Sequence, residues 1–308
     1  MADATSGIGI AAVELDTGIN KETLRVWERR YGFPNPERDG AGERLYPPEQ
    51  VQRLRLVKRL LDAGHRPGHV VTAPLAELVA LLSPQAPVPG LEAEAPEVGA
   101  GLALLRQHDV DGLRRLLSQA LLRRGLGSGI NEVLAPLTAR VAGLALKGEL
   151  QLFEQRLWED ALQRALRQAM QALPSSVLTD GPRLLLATLP GESQAPGLLM
   201  AEALLALEGA ACLSLGTQLP PAQLVLAAAV HRAHAVVLVF DGHLSQRAML
   251  EGLAALRERL PAGVEIWAIA SGRAPRLPQV PAGVRCLENL AAIEIDMSRL
   301  SKLLESPL

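Results

Sequence analysis

Arginine side chains cluster near the amino-terminal end of the chain, at spacings that suit contact with a nucleic-acid duplex. Residues 21–30 are predicted to form a helix in which Leu24 and Trp27 share the packing face, while the arginines point elsewhere. A second basic segment follows, where Gly40 and Gly42 permit a tight hairpin. Guanidinium groups clamp phosphates or read guanine bidentately, so a basic helix and a basic hairpin can hold one duplex at two places.

The composition is that of a packed globular protein with an uneven charge distribution. Hydrophobic residues make up 48% of the 308 residues, and an aromatic content of 3% predicts cores built from Leu, Ala and Val. The net charge is −2, but residues 21–66 carry eleven Lys or Arg and seven Asp or Glu, a local balance of +4 that leaves −6 elsewhere. This basic head on an acidic body fits a nucleic-acid contact confined to the head.

The sequence lacks the features of an exported or membrane protein. Its first residues have neither the basic nor the apolar region of a signal peptide, and charges and prolines interrupt every apolar stretch before the ~20 residues of a membrane span. Cys212 and Cys286 lack the spacing of a disulfide framework or a zinc site. We therefore expect a cytoplasmic protein whose two thiols are buried and reduced.

Prolines and glycines divide the chain into a head, a linker, a helical region and an α/β region. Residues 8–82 form the head, and residues 83–97 are a Pro-rich linker that cannot continue a helix. Leucines at helical spacing predict a four-helix bundle over residues 98–173, with breaks at 127–129 and 147–149.

Apolar strands alternate with helices in the last region, residues 182–308. Five strands are predicted, at residues 183–189, 211–215, 235–240, 264–270 and 284–287. This alternation favours a flavodoxin-like, doubly wound parallel sheet, whose ligands lie at the carboxyl ends of the strands.

The basic helix and the segment after it carry a specific motif, in which T-L-R-V-W-E-R-R-Y-G-F-P is followed by a Gly-rich turn and R-L-Y. With this order and spacing, residues 8–70 resemble the winged helix-turn-helix head of the MerR family of transcription regulators. The resemblance implies that the second helix lies in the major groove of operator DNA and that the wing grips the flanking backbone. The DNA-contacting residues that it implies are Thr23, Arg25, Arg29, Arg30, Tyr31, Arg38, Arg44 and Tyr46.

An ordinary amphipathic helix with a solvated basic face is the alternative, but it does not account for the Y-G-F-P turn and the wing. The long coiled coil through which MerR-type regulators usually dimerise is missing, because Pro67, Pro74 and the Pro-rich linker end any long helix. We therefore expect a homo-oligomer, either a dimer or a tetramer, that is assembled by the body of the chain or by the operator.

Together the three regions resemble the CarH/LitR class of light-sensing repressors, over nearly the whole chain. That class implies adenosylcobalamin held between bundle and sheet by a D/E-x-H-x-x-G motif, a W-x9-E-H motif and a Gly-Gly pair. Here Gln194 stands at the cobalt-ligating histidine and Ser271-Gly272 at the Gly-Gly pair. The bundle motif falls on Ala145, Gln155 and Arg156, none of which matches it.

These replacements remove both axial partners of the cofactor. An amide is a far poorer cobalt ligand than an imidazole, and Arg156 puts a charge on a face that covers a flat macrocycle in the class. If one residue is missing before Gly148, the Trp position falls on Leu146, which is not aromatic either. Glu192 and Gly197 still match the first motif. The sequence therefore predicts no bound cofactor, and a body that serves oligomerisation or senses another signal.

Three histidines are the other candidates for chemistry. His231 and His234 are spaced i, i+3 but have no third metal ligand nearby, and His243 follows the third strand at the ligand-bearing edge of the sheet. Surface positions without a ligand are the alternative for all three. The sequence contains no catalytic constellation, phosphate-binding loop or nucleophile elbow. We therefore predict that the protein is not an enzyme and has no metal site.

The sequence thus predicts a DNA-binding transcription regulator, a repressor by resemblance, whose partners are operator DNA and further copies of itself. The first alternative is a cobalamin photoreceptor with atypical cobalt ligation, which would be coloured when purified. The second alternative is an enzyme or corrinoid-carrier subunit, which would bind no duplex.

Overall fold

The computed structural model divides the chain into two compact units, residues 1–85 and 86–308. The bundle and the sheet expected from the sequence both lie in the second unit. The residues that the structure describes are 7–38, 40, 42–62, 65–82, 95–173, 181–192, 196–242, 244–271 and 280–305.

Helices and a small antiparallel sheet build the first unit. Its elements are β1 (Ile8–Gly9), α1 (Ile10–Thr17), α2 (Lys21–Tyr31), β2 (Glu37–Arg38), β3 (Arg44–Tyr46), α3 (Pro48–Asp62), α4 (Pro67–Val70) and α5 (Leu75–Leu82). Strand β3 pairs with both β1 and β2, so that Ile8 lies opposite Tyr46 and Arg38 lies opposite Arg44. The β2–β3 pair forms the wing expected from the Gly-rich segment.

Helix α2 begins and ends where local signals place its ends. The Asn20 side chain accepts a hydrogen bond from the Glu22 amide at 2.8 Å, and Gly32 ends the helix with a left-handed φ of 68°. Leu24 and Trp27 are buried. The packing face expected from the sequence is therefore confirmed, and the opposite face of α2 is left at the surface.

Four helical segments form the bundle. They are α6 (Pro96–Arg106), α7 (Val110–Arg124), a continuous run of α8 (Leu126–Gly129), a π-helical turn (Ile130–Leu134) and α9 (Ala135–Lys147), and finally α10 (Leu152–Gln171). Gly148 ends α9 with a φ of 70°, as expected. The expected break at 127–129 is wrong, because the chain turns at Gly125 and a Cβ on Gly129 would lie 3.2 Å from Leu121 Cα. Gly129 therefore serves close helix packing rather than a break.

A five-stranded parallel sheet completes the second unit, with strand order β5-β4-β6-β7-β8. Its elements are β4 (Arg183–Ala187), α11 (Pro196–Leu207), β5 (Ala211–Ser214), α12 (Pro221–Val230), β6 (Ala235–Phe240), α13 (Gln246–Arg259), β7 (Glu265–Ala270), β8 (Val284–Leu287), a 3-10 turn (Leu290–Ala292) and α14 (Ile293–Glu305). This is the flavodoxin-like order, whose ligand crevice lies where β4 and β6 end.

One hydrophobic core joins the bundle to the sheet. Helices α11 and α14 cover one face of the sheet, and α12 and α13 cover the other. Leu162 and Leu166 of the bundle belong to the same buried cluster as Leu198 of α11 and Trp267 of β7. Bundle and sheet are therefore expected to fold as one cooperative body.

The two thiols differ in environment. Cys212 is half-buried, and burial raises the pKa of its thiol to about 12. Cys286 is exposed because β8 is an edge strand, so the expectation of a buried thiol is wrong there. None of the described helices is long and apolar enough to cross a membrane.

Leu166→Ala is expected to lower the free energy of unfolding by about 2–5 kcal/mol, because it empties space in the core shared by bundle and sheet. Leu122→Ala is the matched control, since Leu122 is a helical leucine of the same unit with 84% of its surface exposed. Urea unfolding followed by circular dichroism measures both. Equal midpoints for the two variants would contradict the shared core.

Candidate functional site

Helix α2 presents a basic face on the side opposite Leu24 and Trp27. Arg25, Arg29 and Arg30 are exposed, and Thr23 is half-exposed. Arg25 Nη1 lies 2.7 Å from Glu22 Oε1, and the Arg30 guanidinium lies 5.3 Å from the centroid of the Tyr31 ring. Cationic groups are therefore displayed along the length of the helix, as the motif implies.

An ion pair ties the wing to this helix. Arg44 of β3 donates from Nε to Glu28 Oε2 at 3.0 Å and from Nη2 to Oε1 at 3.5 Å, and about a quarter of each side chain is exposed. The hydrogen bond that Arg44 donates to Glu28 raises the pKa of the Arg44 guanidinium above its ordinary value. Arg44 therefore holds the wing against α2. Sequence reasoning missed Glu28, because no local pattern reveals a partner sixteen residues away.

The remaining wing residues differ in exposure. Arg38 is exposed and donates from Nη1 to the Gly42 carbonyl at 2.8 Å, which closes the hairpin. Tyr46 is fully buried, and its hydroxyl group has no hydrogen-bond partner among the described residues. Burial raises the pKa of this hydroxyl group. The assignment of Tyr46 as a DNA contact is corrected, because a side chain inside the unit cannot touch a duplex at its surface.

Two further side chains hold the segment between α2 and the wing. The Arg53 guanidinium stacks over the Phe33 ring at 4.0 Å from its centroid and donates to the Val71 carbonyl at 3.0 Å. Gln50 accepts from the Asn35 amide at 2.7 Å and donates to its carbonyl at 2.8 Å. The Y-G-F-P turn is thus fixed on α3 by Arg53 and Gln50, two side chains that no local sequence pattern singles out.

In the second unit, polar groups meet where β4 ends. The Glu192 side chain is fully buried, and its Oε1 accepts a hydrogen bond from the Leu244 amide at 3.2 Å. Thr188 Oγ1 donates to the Glu192 carbonyl at 2.9 Å and accepts from the Gln218 amide at 3.0 Å. This part of the crevice is therefore closed by hydrogen bonds within the chain.

The start of α11 closely approaches the ends of β6 and β7. The Gly197 amide donates to Asp241 Oδ2 at 3.1 Å, and a Cβ on Gly197 would lie 2.6 Å from the Cβ of buried Ser271. The glycine is needed because any side chain here would strike Ser271 and Asp241. Gln194, Gly272 and His243 lie outside the described residues.

The bundle positions of the second motif lie near the junction of α9 and α10. Ala145 and Gln155 are partly exposed, and Leu146 beside Ala145 is buried. The Arg156 side chain is 60% exposed, and its Nη1 lies 2.7 Å from Glu159 Oε2. Arg156 therefore forms a solvent-facing ion pair along its own helix.

The paired histidines divide between solvent and structure. His234 Nδ1 accepts a hydrogen bond from the Arg183 amide at 2.9 Å, and burial lowers the pKa of its imidazole. His231 is exposed. The described residues contain no group of three or more His, Cys, Asp or Glu side chains placed to hold a metal ion.

Comparisons with known proteins bear on both units. The family described as MerR HTH family regulatory protein matches residues 9–73. The "HTH-type transcriptional repressor CarH" of Myxococcus xanthus is 31% identical over 281 residues, which are 87% of this chain and 89% of that protein. The chain belongs to the CarH class of MerR-family transcription regulators. It is a regulator rather than an enzyme, as the sequence predicted, and MerR regulators bind operator DNA.

A second relative and a solved structure extend the comparison. The "HTH-type transcriptional repressor CarA" of the same organism is 32% identical over 225 residues, 73% of each chain. The Methanosarcina barkeri monomethylamine corrinoid protein has a TM-score of 0.53 at 16% identity, over 67% of this chain and 100% of that one. This likeness shows a fold that the chain shares with that corrinoid protein over about two thirds of its length.

Tyr46→Phe is expected to leave duplex binding by the full chain unchanged within about twofold and stability equal or higher, because it removes a buried hydroxyl group that lacks a described partner. Fluorescence anisotropy with a labelled operator measures the binding, and thermal unfolding measures the stability. A tenfold or greater loss of affinity with intact folding would return Tyr46 to the DNA-contacting set.

Proposed function

We propose that this CarH-class regulator is a sequence-specific repressor, and that its head binds a duplex with α2 and the wing together. The exposed basic face of α2, joined to the wing by the Arg44–Glu28 pair, is the observation that carries the proposal. The sign of regulation is taken from CarH and CarA, both of which are named repressors.

The exposed arginines divide into two tasks under this proposal. Arg25, Arg29 and Arg30 on α2 face the bases and the adjacent phosphates of the major groove, together with Thr23. Arg38 on the wing grips the flanking backbone. Arg44 contributes by positioning the wing, because its guanidinium group already donates a hydrogen bond to Glu28.

Arg29→Ala is expected to weaken operator binding by about 1–3 kcal/mol, because it removes an exposed guanidinium group from the basic face of α2. Arg247→Ala, at an exposed helical arginine of the second unit, is the matched control and should bind like the unchanged chain. Binding is measured against salt concentration, because a lost phosphate contact also lowers the salt slope by about 1. Equal affinities and slopes for both variants would remove α2 from the interface.

We further propose that the body does not bind cobalamin in the manner of its class. Arg156 is held in an exposed ion pair with Glu159, and Ala145 supplies no ring to cover a macrocycle. Ser271 is buried against Gly197 where the class has a glycine, which narrows the approach to the crevice. With Gln194 at the ligand position, the side chains at these positions do not fit the cofactor.

The body then serves assembly or responds to a different signal. Half-sites of an operator favour an oligomer, because one small head offers limited contact area. The retained Glu192 and Gly197 favour the second candidate, an adenosylcobalamin-dependent light-sensing repressor with atypical ligation. Glu192, however, already accepts a hydrogen bond from the Leu244 amide, and this structural role accounts for a glutamate at this position without a cofactor.

Operator binding by the full chain is expected to be the same with and without adenosylcobalamin, in darkness and after green light. The cofactor should not co-elute with the protein in gel filtration, and the protein peak should stay colourless. Stoichiometric cobalamin in that peak, with light releasing the DNA, would establish the second candidate instead.

Two variants provide the control for this experiment. Gln194→His by itself should not restore binding, because the upper-face partners are still absent. The combination of Gln194→His with Ala145→Trp, Gln155→Glu and Arg156→His tests whether the cavity keeps its shape. Uptake by Gln194→His alone would show that the ligand position by itself decides cofactor binding.

A further inference from the structure

Val26 is the one apolar side chain in the middle of the exposed basic face of α2. It is 42% exposed, whereas Leu24 and Trp27 of the same helix are buried. On the helical wheel it lies between Arg29 and Arg30 and outside the face of Leu24 and Trp27, with Glu22, Arg29 and Arg30 as its i−4, i+3 and i+4 neighbours. The centre of a charged surface is thus occupied by an isopropyl group.

Local stability does not account for a valine at this position. A β-branched residue loses side-chain freedom in a helix and has a lower helix propensity than Ala, Lys or Glu. Val26 gains little from core packing in exchange, because 42% of it stays exposed while Leu24 and Trp27 form the buried face. A single exposed valine is common on proteins, so its place among the arginines, rather than its exposure, is what calls for a function.

The chemistry of the major groove supplies a function for an exposed valine among arginines. Among the four bases only thymine shows a methyl group there, and apolar side chains recognise it by contact. An isopropyl group has no hydrogen bond to offer a phosphate or a base edge, whereas flanking arginines have several. We infer that Val26 packs on a thymine methyl group of the operator and fixes a T·A pair beside the bases or phosphates held by Arg29.

This inference rests on the proposed function, because it requires α2 to lie in the major groove. Operator duplexes are first selected by the full chain from a random-sequence pool. Each thymine of the selected duplex is then replaced in turn by uracil, which removes only the methyl group. Affinities of the unchanged chain, of Val26→Ala and of Val230→Ala are measured for every duplex. Val230 is an exposed helical valine of the second unit and serves as the matched control.

We expect one uracil position per half-site to weaken binding of the unchanged chain by about fourfold, the contribution of one buried methyl group. Val26→Ala should lose that dependence, while Val230→Ala should keep it. Identical uracil profiles for the unchanged chain and Val26→Ala, with operator binding intact, would overturn the inference and leave the proposed function standing. Failure of the full chain to select any duplex would overturn both.

Discussion

The Arg44–Glu28 ion pair is the contact on which the proposed two-part DNA surface depends. Phosphates of a duplex have fixed spacing, so a helix and a wing can engage the same duplex only if their separation is fixed too. Exposed ion pairs contribute about 0–1 kcal/mol, but this one is three-quarters buried and its carboxylate receives two donors. Its importance lies in geometry, because it orients β3 against the helix that carries the exposed arginines.

The crevice of the sheet is governed by a related constraint, since a buried polar group must find a partner. In a site built for a polar ligand, some buried polar groups commonly have no hydrogen-bond partner until the ligand binds. Here Glu192 is bonded to the Leu244 amide, Asp241 to the Gly197 amide, and Thr188 to two backbone groups. The described edge of the crevice therefore satisfies these groups from within the chain.

Local signals explain why much of this fold follows from sequence. Asn20 and Gly32 delimit α2, and alternating strands and helices lead to the flavodoxin-like order. Tertiary relations were less accessible. Tyr46 belongs to a motif associated with DNA contact, yet pairing of β3 with β1 places its side chain inside. Gly129 suggested a break because glycine is rare in helices, whereas close approach to Leu121 is what requires it.

The positions that correspond to the bundle motif of the class lie at the surface of the bundle. Ala145, Gln155 and Arg156 lie at partly or fully exposed positions of the bundle, outside the buried cluster that joins it to the sheet. Leu166 and its neighbours in that cluster supply the shared core, and substitutions at these three bundle positions leave this core untouched. Since exposed positions contribute little to stability, a chain can exchange them freely while its core residues stay under constraint. If the proposed loss of cobalamin binding holds, a regulator of this class can therefore change its signal and keep the fold of its body.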